Sequence, residues 1–267
     1  MNIKNKIFIA CLFLITGIAC KKNIIENLPY DLPTDKAYVR FALFSPGTTA
    51  VLIKVNDIKI NGSNTGGNGG IYPSISNTPD YAAVPTTGNF RLSLANSGTS
   101  NDSVLIFNSQ IAVQAGKFYA VTLADTGIDR TVFSVPDNLG PLPDSGFFNL
   151  RLINAMAKTE PLNLIRIDST SATSVVRDTI ARNIAFKSAS NFIKLSISPL
   201  PISPAAPSVL YSFLRFRIAT VSGVPLANVT PPAPISLNQR SVTTYAFGFG
   251  NGTLIYSPGL SNFIYNQ

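Results

Sequence analysis

The chain offers chemistry few starting points. Its 267 residues contain no histidine and no tryptophan, only two cysteines, and thirteen acidic side chains that stand singly. Without imidazole there is no His-based triad, no His-ligated zinc and no use of the commonest general base. Serines are plentiful, but neither a G-x-S-x-G elbow nor an S-x-x-K motif occurs. Paired carboxylates are the one catalytic arrangement that the composition permits, as in a glycosidase, which sets two of them about 5 to 10 Å apart across a cleft. Asp102, Asp125, Asp129, Asp137 and Asp144 instead lie in expected turns, where an Asx turn accounts for them. Asp125 and Asp129 have the best spacing for a calcium ion, but the D-x-D-x-D-G ladder is missing and Arg130 adds an adverse charge. No enzyme activity, cofactor or metal site is expected. Tyr72 and Tyr81, in expected loops, are the candidates for stacking on a sugar ring.

The most specific chemical signal is Cys20. Lys4 and Lys6 precede an uncharged, largely apolar stretch from Ile7 to Ala19, too short for a bilayer span of roughly 20 residues but suited to a signal peptide. Gly17-Ile18-Ala19 runs directly into Cys20 and resembles the lipobox of bacterial lipoproteins, although Gly17 departs from the usual leucine. The resemblance implies cleavage before Cys20 and acylation of its thiol and new amino group; the alternative is a plain signal peptide with an incidental cysteine. Cys11 would leave with the signal, so no disulfide is available to the mature chain. Each buried lipid methylene contributes about 0.8 kcal/mol, and several chains together hold a domain at a membrane. Residues 21–36, polar and punctuated by proline, read as a tether of up to about 50 Å.

Removing Lys4 and Lys6 from twenty-one basic residues leaves nineteen against thirteen acids, a net of +6. Apart from Lys21-Lys22 and the alternating Arg215 and Arg217, the cations are dispersed, unlike a phosphate-tracking surface with interleaved aromatics. Nucleic acid is therefore not an expected partner. A mild attraction to anionic membrane or polysaccharide stays open.

The elements that must position these groups read as strands. In Val39–Phe44, Val39, Phe41 and Leu43 alternate with Arg40; Phe90, Leu92 and Leu94 alternate with Arg91 and Ser93; Leu214, Phe216 and Ile218 alternate with Arg215 and Arg217. Period-two patterning marks strands with one buried and one wet face, and outward Arg or Lys discourages edge association. Turn signals fall at 45–49, 61–70, 95–103, 125–129 and 249–252; the Gly-rich 61–70 stretch lacks phosphate-loop spacing and reads as a mobile hairpin tip. The chain also repeats itself. VRFALFSPGTTAVLIKVND from Val39 lies over LRLINAMAKTEPLNLIRID from Leu150, pairing Arg40 with Arg151 and, with one residue of slack, LIKVN with LIRID. NFRLSL from Asn89 is laid over NFIKLSI from Asn191, and FYAVTL from Phe118 over TYAFGF from Thr244. A period near 110 residues is domain-sized.

The expected fold is all-β: two tandem antiparallel immunoglobulin-like β-sandwich domains after a signal peptide and flexible tether. The expected boundaries are 1–19 for the signal, 20–36 for the lipidated tether, 37–135 for the first repeat, 136–146 for the Pro-rich linker and 147–267 for the second. The stretches 198–208 and 223–234 are expected to be long loops of the second repeat.

YVRFALFSP (Tyr38 to Pro46) with VQAGKFYAVTL (Val113 to Leu123), and in the second copy NLRLINAMA (Asn149 to Ala157) with RSVTTYAFGF (Arg240 to Phe249), resemble the bacterial domain of unknown function 4397. The first copy carries Ala42-Leu43 where Ile-Asn is common, and the second lacks the Ala-Gly before its tyrosine. The resemblance, over about residues 37 to 257, implies a sandwich repeat of envelope or secreted proteins and supplies no catalytic residues. The functional expectation is a non-catalytic envelope lipoprotein, anchored by lipid to the outer membrane of a Gram-negative bacterium, that binds a polysaccharide or an envelope protein. The membrane face stays open. The alternatives are a structural spacer within an envelope complex and a carboxylate-based glycosidase.

Overall fold

The computed structural model describes residues 33–48, 50–61, 65–66, 68–73, 81–87, 89–95, 102–126, 129–169, 175–197, 213–229, 237–249, 257–261 and 263–266. Cys20, the signal segment and nearly all of the tether lie outside them. Among the described residues no helix is long and apolar enough to cross a membrane.

The chain is all-β, and each repeat is a pair of facing sheets. In the first, an inner sheet has the order β10 (Thr131–Pro136), β9 (Phe118–Ala124), β1 (Lys36–Phe44), β5 (Asn68–Tyr72), with β6 (Ala82–Pro85) also on β1. Its outer sheet runs β3 (Ile58–Lys59), β2 (Ala50–Val55), β7 (Asn89–Ala95), β8 (Asp102–Gln110), with β4 (Thr65–Gly66) also on β2. In the second repeat the inner sheet runs β14 (Ile193–Ser196), β11 (Phe147–Asn154), β17 (Ser241–Phe247), β18 (Gly259–Leu260), with β19 (Ile264–Tyr265) on β17. Its outer sheet runs β13 (Val175–Ile184), β12 (Leu162–Ser169), β15 (Phe213–Thr220), β16 (Pro225–Val229). The sandwiches are not purely antiparallel, because β1 pairs with β9, and β11 with β17, in parallel.

Three apolar cores place these sheets in order. Val39, Phe41 and Leu43 of β1 meet Val51, Ile53 and Val55 of β2 inside the first sandwich. Leu150 and Leu152 of β11 meet Leu164 of β12 and Phe216 of β15 inside the second. The third joins the repeats: Ala42, Phe44, Ala120 and Ala124 on the far face of the first inner sheet pack with Ile153, Ala155 and Tyr245 of the second. Phe44 stacks on Phe247, with centroids 5.0 Å apart, and lies 4.9 Å from Tyr245. Such aromatic pairs contribute about 0.5–1.5 kcal/mol beyond the area they bury. The four sheets therefore form one stack, outer–inner–inner–outer, within the compact unit from Asp35 to Gln267.

This stacking corrects the wet face expected for Arg40. Every residue of β1 from Ala37 to Phe44 is buried, and Arg40 and Arg151 each expose only 2% of their surface, because the face opposite Val39, Phe41 and Leu43 is covered by the sister repeat. Arg91, Arg215 and Arg217 do lie on the outward faces of the outer sheets.

The repeat is real, but three of its sequence matches shift. Val39 pairs with Tyr119 and its counterpart Leu150 with Val242, so Phe118–Leu123 corresponds to Ser241–Ala246, three positions from the match of FYAVTL to TYAFGF. An odd shift exchanges the faces of a strand: Tyr119 packs in the first sandwich, whereas Tyr245 packs between the repeats. The residue of slack between LIKVN and LIRID is likewise absent in the faces, since Ile53 and Leu164 both point into their cores. With that register Arg166 and Asp168 fall on the inward side of β12, opposite Phe216 and Leu214. They satisfy one another as a buried ion pair at 3.0 Å, and Arg166 Nη1 also donates to the Ser196 carbonyl at 2.9 Å. Finally, β7 corresponds to β15, each lying beside β2 or β12, so NFIKLSI is no counterpart of NFRLSL: its β14 sits beside β11 as β6 sits beside β1.

Local chemistry explains the remaining corners. Asn56 and Asp57 both have positive φ, 50° and 62°, and form the two-residue turn that twists with the β2–β3 hairpin. The Gly-rich 61–70 stretch is not only a hairpin tip: it supplies β4 to the outer sheet and begins β5 in the inner one, where Gly70 pairs with Leu43. Within the expected loop 223–234, Pro225–Val229 is the edge strand β16, with proline at its first residue, where no ladder donor is needed.

Candidate functional site

The strongest polar cluster lies at the junction. Arg151, midway along β11, faces the first repeat and donates through Nη1 to the Pro136 carbonyl at 2.9 Å and through Nη2 to Asp137 Oδ1. Its Nε reaches Thr243 Oγ1 at 3.2 Å on the neighbouring β17, and Thr243 donates in turn to Asn266 Oδ1 at 2.7 Å. Asp137 Oδ2 accepts from Tyr81 Oη at 2.7 Å and from Asn266 Nδ2 at 3.3 Å. A carboxylate shared by a guanidinium, a phenol and an amide is stabilised as an anion despite its burial. Burial pushes the Arg151 guanidinium below its ordinary value, and it raises the Tyr81 and Tyr245 phenols, opposed at Tyr81 chiefly by Arg40.

The network places several expected residues. Asp137 is a buried ion-pair partner, not a turn capper. Tyr81 has its ring 4.4 Å from the Arg40 guanidinium and edge-on to Phe118 at 4.9 Å, and its hydroxyl is bonded, so it is a structural tyrosine and not a sugar platform. Tyr72 pairs with Phe41 in β5 and donates its hydroxyl to the Ile60 carbonyl. Asp125 sits at φ 64° and accepts from the Thr126 amide, while Asp129 pairs with Lys158 of the second repeat. Asp102 begins β8. Cys20 lies outside the described residues.

Beside this network is a cleft of about 810 Å³. It forms where the 136–146 connection crosses the inner sheet of the second repeat, beside Val135 and Pro136 of β10. One wall is the connection itself, with Asn138, Pro141 and Leu142; the other holds Asn149, Asn191 and Phe192, with Arg151 between them. The connection is fastened at both ends, by the Asp137 amide to the Phe118 carbonyl at 2.7 Å and by the Phe147 amide to the Asp144 carbonyl at 3.1 Å. The Arg151 guanidinium lies 4.8 Å from the Phe192 ring centre and fixes that ring in the wall. Asn138 and Asn191 are exposed and offer amide donors and acceptors, while Leu142, 55% exposed, gives the rim an apolar edge.

Among the described residues, Asp144 is the only carboxylate lining this cleft. Its hydrogen bond to Lys194 holds it below the ordinary aspartate range, opposite to the shift that makes a carboxyl a general acid. A concave wall of amides, one ring and an apolar rim, of a size within the usual range for ligand sites, suits recognition.

The sequence points to none of the cleft residues as a ligand contact: it offers Asp144 as a turn residue and Arg151 as the counterpart of Arg40. The signal that could have found the junction is the apolar character of both faces of β1: Ala42 and Phe44 share a face with Arg40, which a wet face does not require. No protein-family model matches the chain, and no curated protein matches it either.

Proposed function

We propose that the protein is a non-catalytic binding module of the cell envelope, held at the outer membrane by lipid on Cys20, whose cleft beneath the 136–146 connection takes a segment of polysaccharide. The cleft carries this reading: Asn138, Asn149 and Asn191 supply paired amide donors and acceptors suited to hydroxyl groups, and Phe192 supplies a ring. The one carboxylate among its described lining residues, Asp144, is already paired with Lys194, which supports recognition without hydrolysis. The test is binding of envelope polysaccharide fragments to the intact chain and to Phe192→Ala and Asn191→Ala. Loss of at least about tenfold in affinity, equal to about 1.4 kcal/mol, is expected of each; unchanged affinity removes the cleft from the reading. A spacer role within an envelope complex is supported by a different observation, the apolar core that fuses the two sandwiches into one body.

A further inference from the structure

The cleft beneath the 136–146 connection has a neighbour across one of its walls. A second recess, of about 380 Å³, lies between β13, the edge strand of the second outer sheet, and the segment 188–193 that leads into β14. Ala189, Ser190 and Asn191 line both hollows, so this segment is a ridge between them. The recess by itself falls within the usual size of a ligand site, roughly 300–1,000 Å³.

Its lining differs from that of the cleft in charge. Ile180, Ala181 and Ile193, which pack against the core of the second sandwich, form an apolar side. Ser188 and Ser190 donate their hydroxyls to the Ala185 and Asn191 carbonyls, which leaves Arg182, Asn183 and Asn191, all exposed, to meet a ligand. Two register shifts in β13 place this group, one between Ile184 and Ala181 and one between Ala181 and Thr179, and Asn183, at φ 55°, donates its backbone amide to Asn163 Oδ1 at 3.0 Å. Bulges of this kind bend an edge strand and re-aim its side chains. Among the described residues no carboxylate lines the recess and none pairs with Arg182. Asp178, the nearest acid along the strand, stands opposite Arg166, three positions along β12 from Asn163 and about 10 Å away.

We propose that the recess is an anion subsite of the cleft: the polysaccharide is a uronate-containing one, whose chain crosses the Asn191 ridge and sets a sugar carboxylate against Arg182. This subsite rests on the reading of the cleft as a polysaccharide site. The two hollows divide the recognition between them. The cleft offers amides and the Phe192 ring to neutral hydroxyls and sugar faces, while the Arg182 guanidinium matches a planar carboxylate with paired N–H donors. Two hollows joined over a ridge suit an internal stretch of polymer, which fills both, and not a single sugar, which fills one.

The experiment is calorimetric titration of the purified full chain with short oligomers of galacturonate, mannuronate, guluronate and hyaluronan, each compared with its own carboxyl methyl ester. The ester keeps the sugar backbone and removes only the charge. At least one acid form is expected to bind about threefold or more tighter than its ester at about 0.05 M salt, a preference that shrinks at about 0.5 M as screening shortens the range of the charges. Arg182→Gln should erase the preference, and Arg182→Lys, which keeps the charge, should retain part of it, so a misfolded chain cannot imitate the result. Asn191→Ala, at the ridge, should weaken acid and ester alike. The matching single uronic acid should not displace the oligomer. Equal affinity for acid and ester in every pair, a preference that survives Arg182→Gln, or displacement by the single sugar would overturn the subsite and leave the cleft standing, whereas binding of neither form would remove both.

Discussion

Asp137, at the start of the connection between the sandwiches, accepts a hydrogen bond from Arg151 on the face of the second sandwich, and neither side chain is more than 3% exposed. Removing one partner of such a pair leaves an uncompensated buried charge, which costs far more than the intact pair contributes. Asp137→Asn is therefore expected to destabilise the fold by about 3–5 kcal/mol, measured by urea denaturation. A loss below about 1 kcal/mol would mean that Arg151 finds another anion or reaches water.

Phe44 ties the two repeats together through Phe247 and Tyr245. Truncating a buried phenylalanine costs about 3–5 kcal/mol. Because this one lies between two separate cores, Phe44→Ala should also uncouple them, so calorimetry should record two melting transitions where the parent protein shows one.

Gly259 pairs with Phe247 in β18, and the Phe247 ring lies across it: a Cβ placed at Gly259 would fall 2.4 Å from the ring tip. That ring is held on its other side by Phe44, so it has little room to yield. Gly259→Ala is expected to cost about 1–3 kcal/mol, the usual range for overpacking, and to change the near-ultraviolet circular dichroism of the aromatic cluster.

Tyr245 and Tyr81 have phenols raised by burial above the ordinary tyrosine value. A folded-state value above the unfolded one means that the native state holds its protons longer. Stability is then complete below the ordinary tyrosine range and falls as pH rises through that range toward the folded values. Absorbance titration should show these two tyrosines ionising only together with loss of native structure, and Tyr245→Phe should reduce the alkaline loss of stability.

Strand identity was legible where apolar and polar residues alternate. Phe90-Arg91-Leu92 and Phe216-Arg217-Ile218 alternate cleanly, and their arginines do point outward. The same rule misplaced Arg40, because one arginine in an apolar strand reads as a solvent face when the sister repeat that covers it lies about 110 residues away. The match of Tyr119 to Tyr245 failed for a related reason: residue likeness outweighed the parity that decides which face a side chain occupies. The cleft was not legible at all. Its walls belong to a Pro-rich connection and to the segment leading into β14, and nothing local in either records that they face each other.

The cleft is tested most directly by nuclear magnetic resonance of the side-chain amides of Asn138, Asn149 and Asn191 while neutral oligosaccharides from the host envelope are titrated into the intact protein. The expected result is saturable shifts at these three amides, lost in Phe192→Ala while the rest of the spectrum is preserved. Shifts confined to the outer sheets, or no shifts at any of the three amides, would contradict the assignment of the cleft as the binding site.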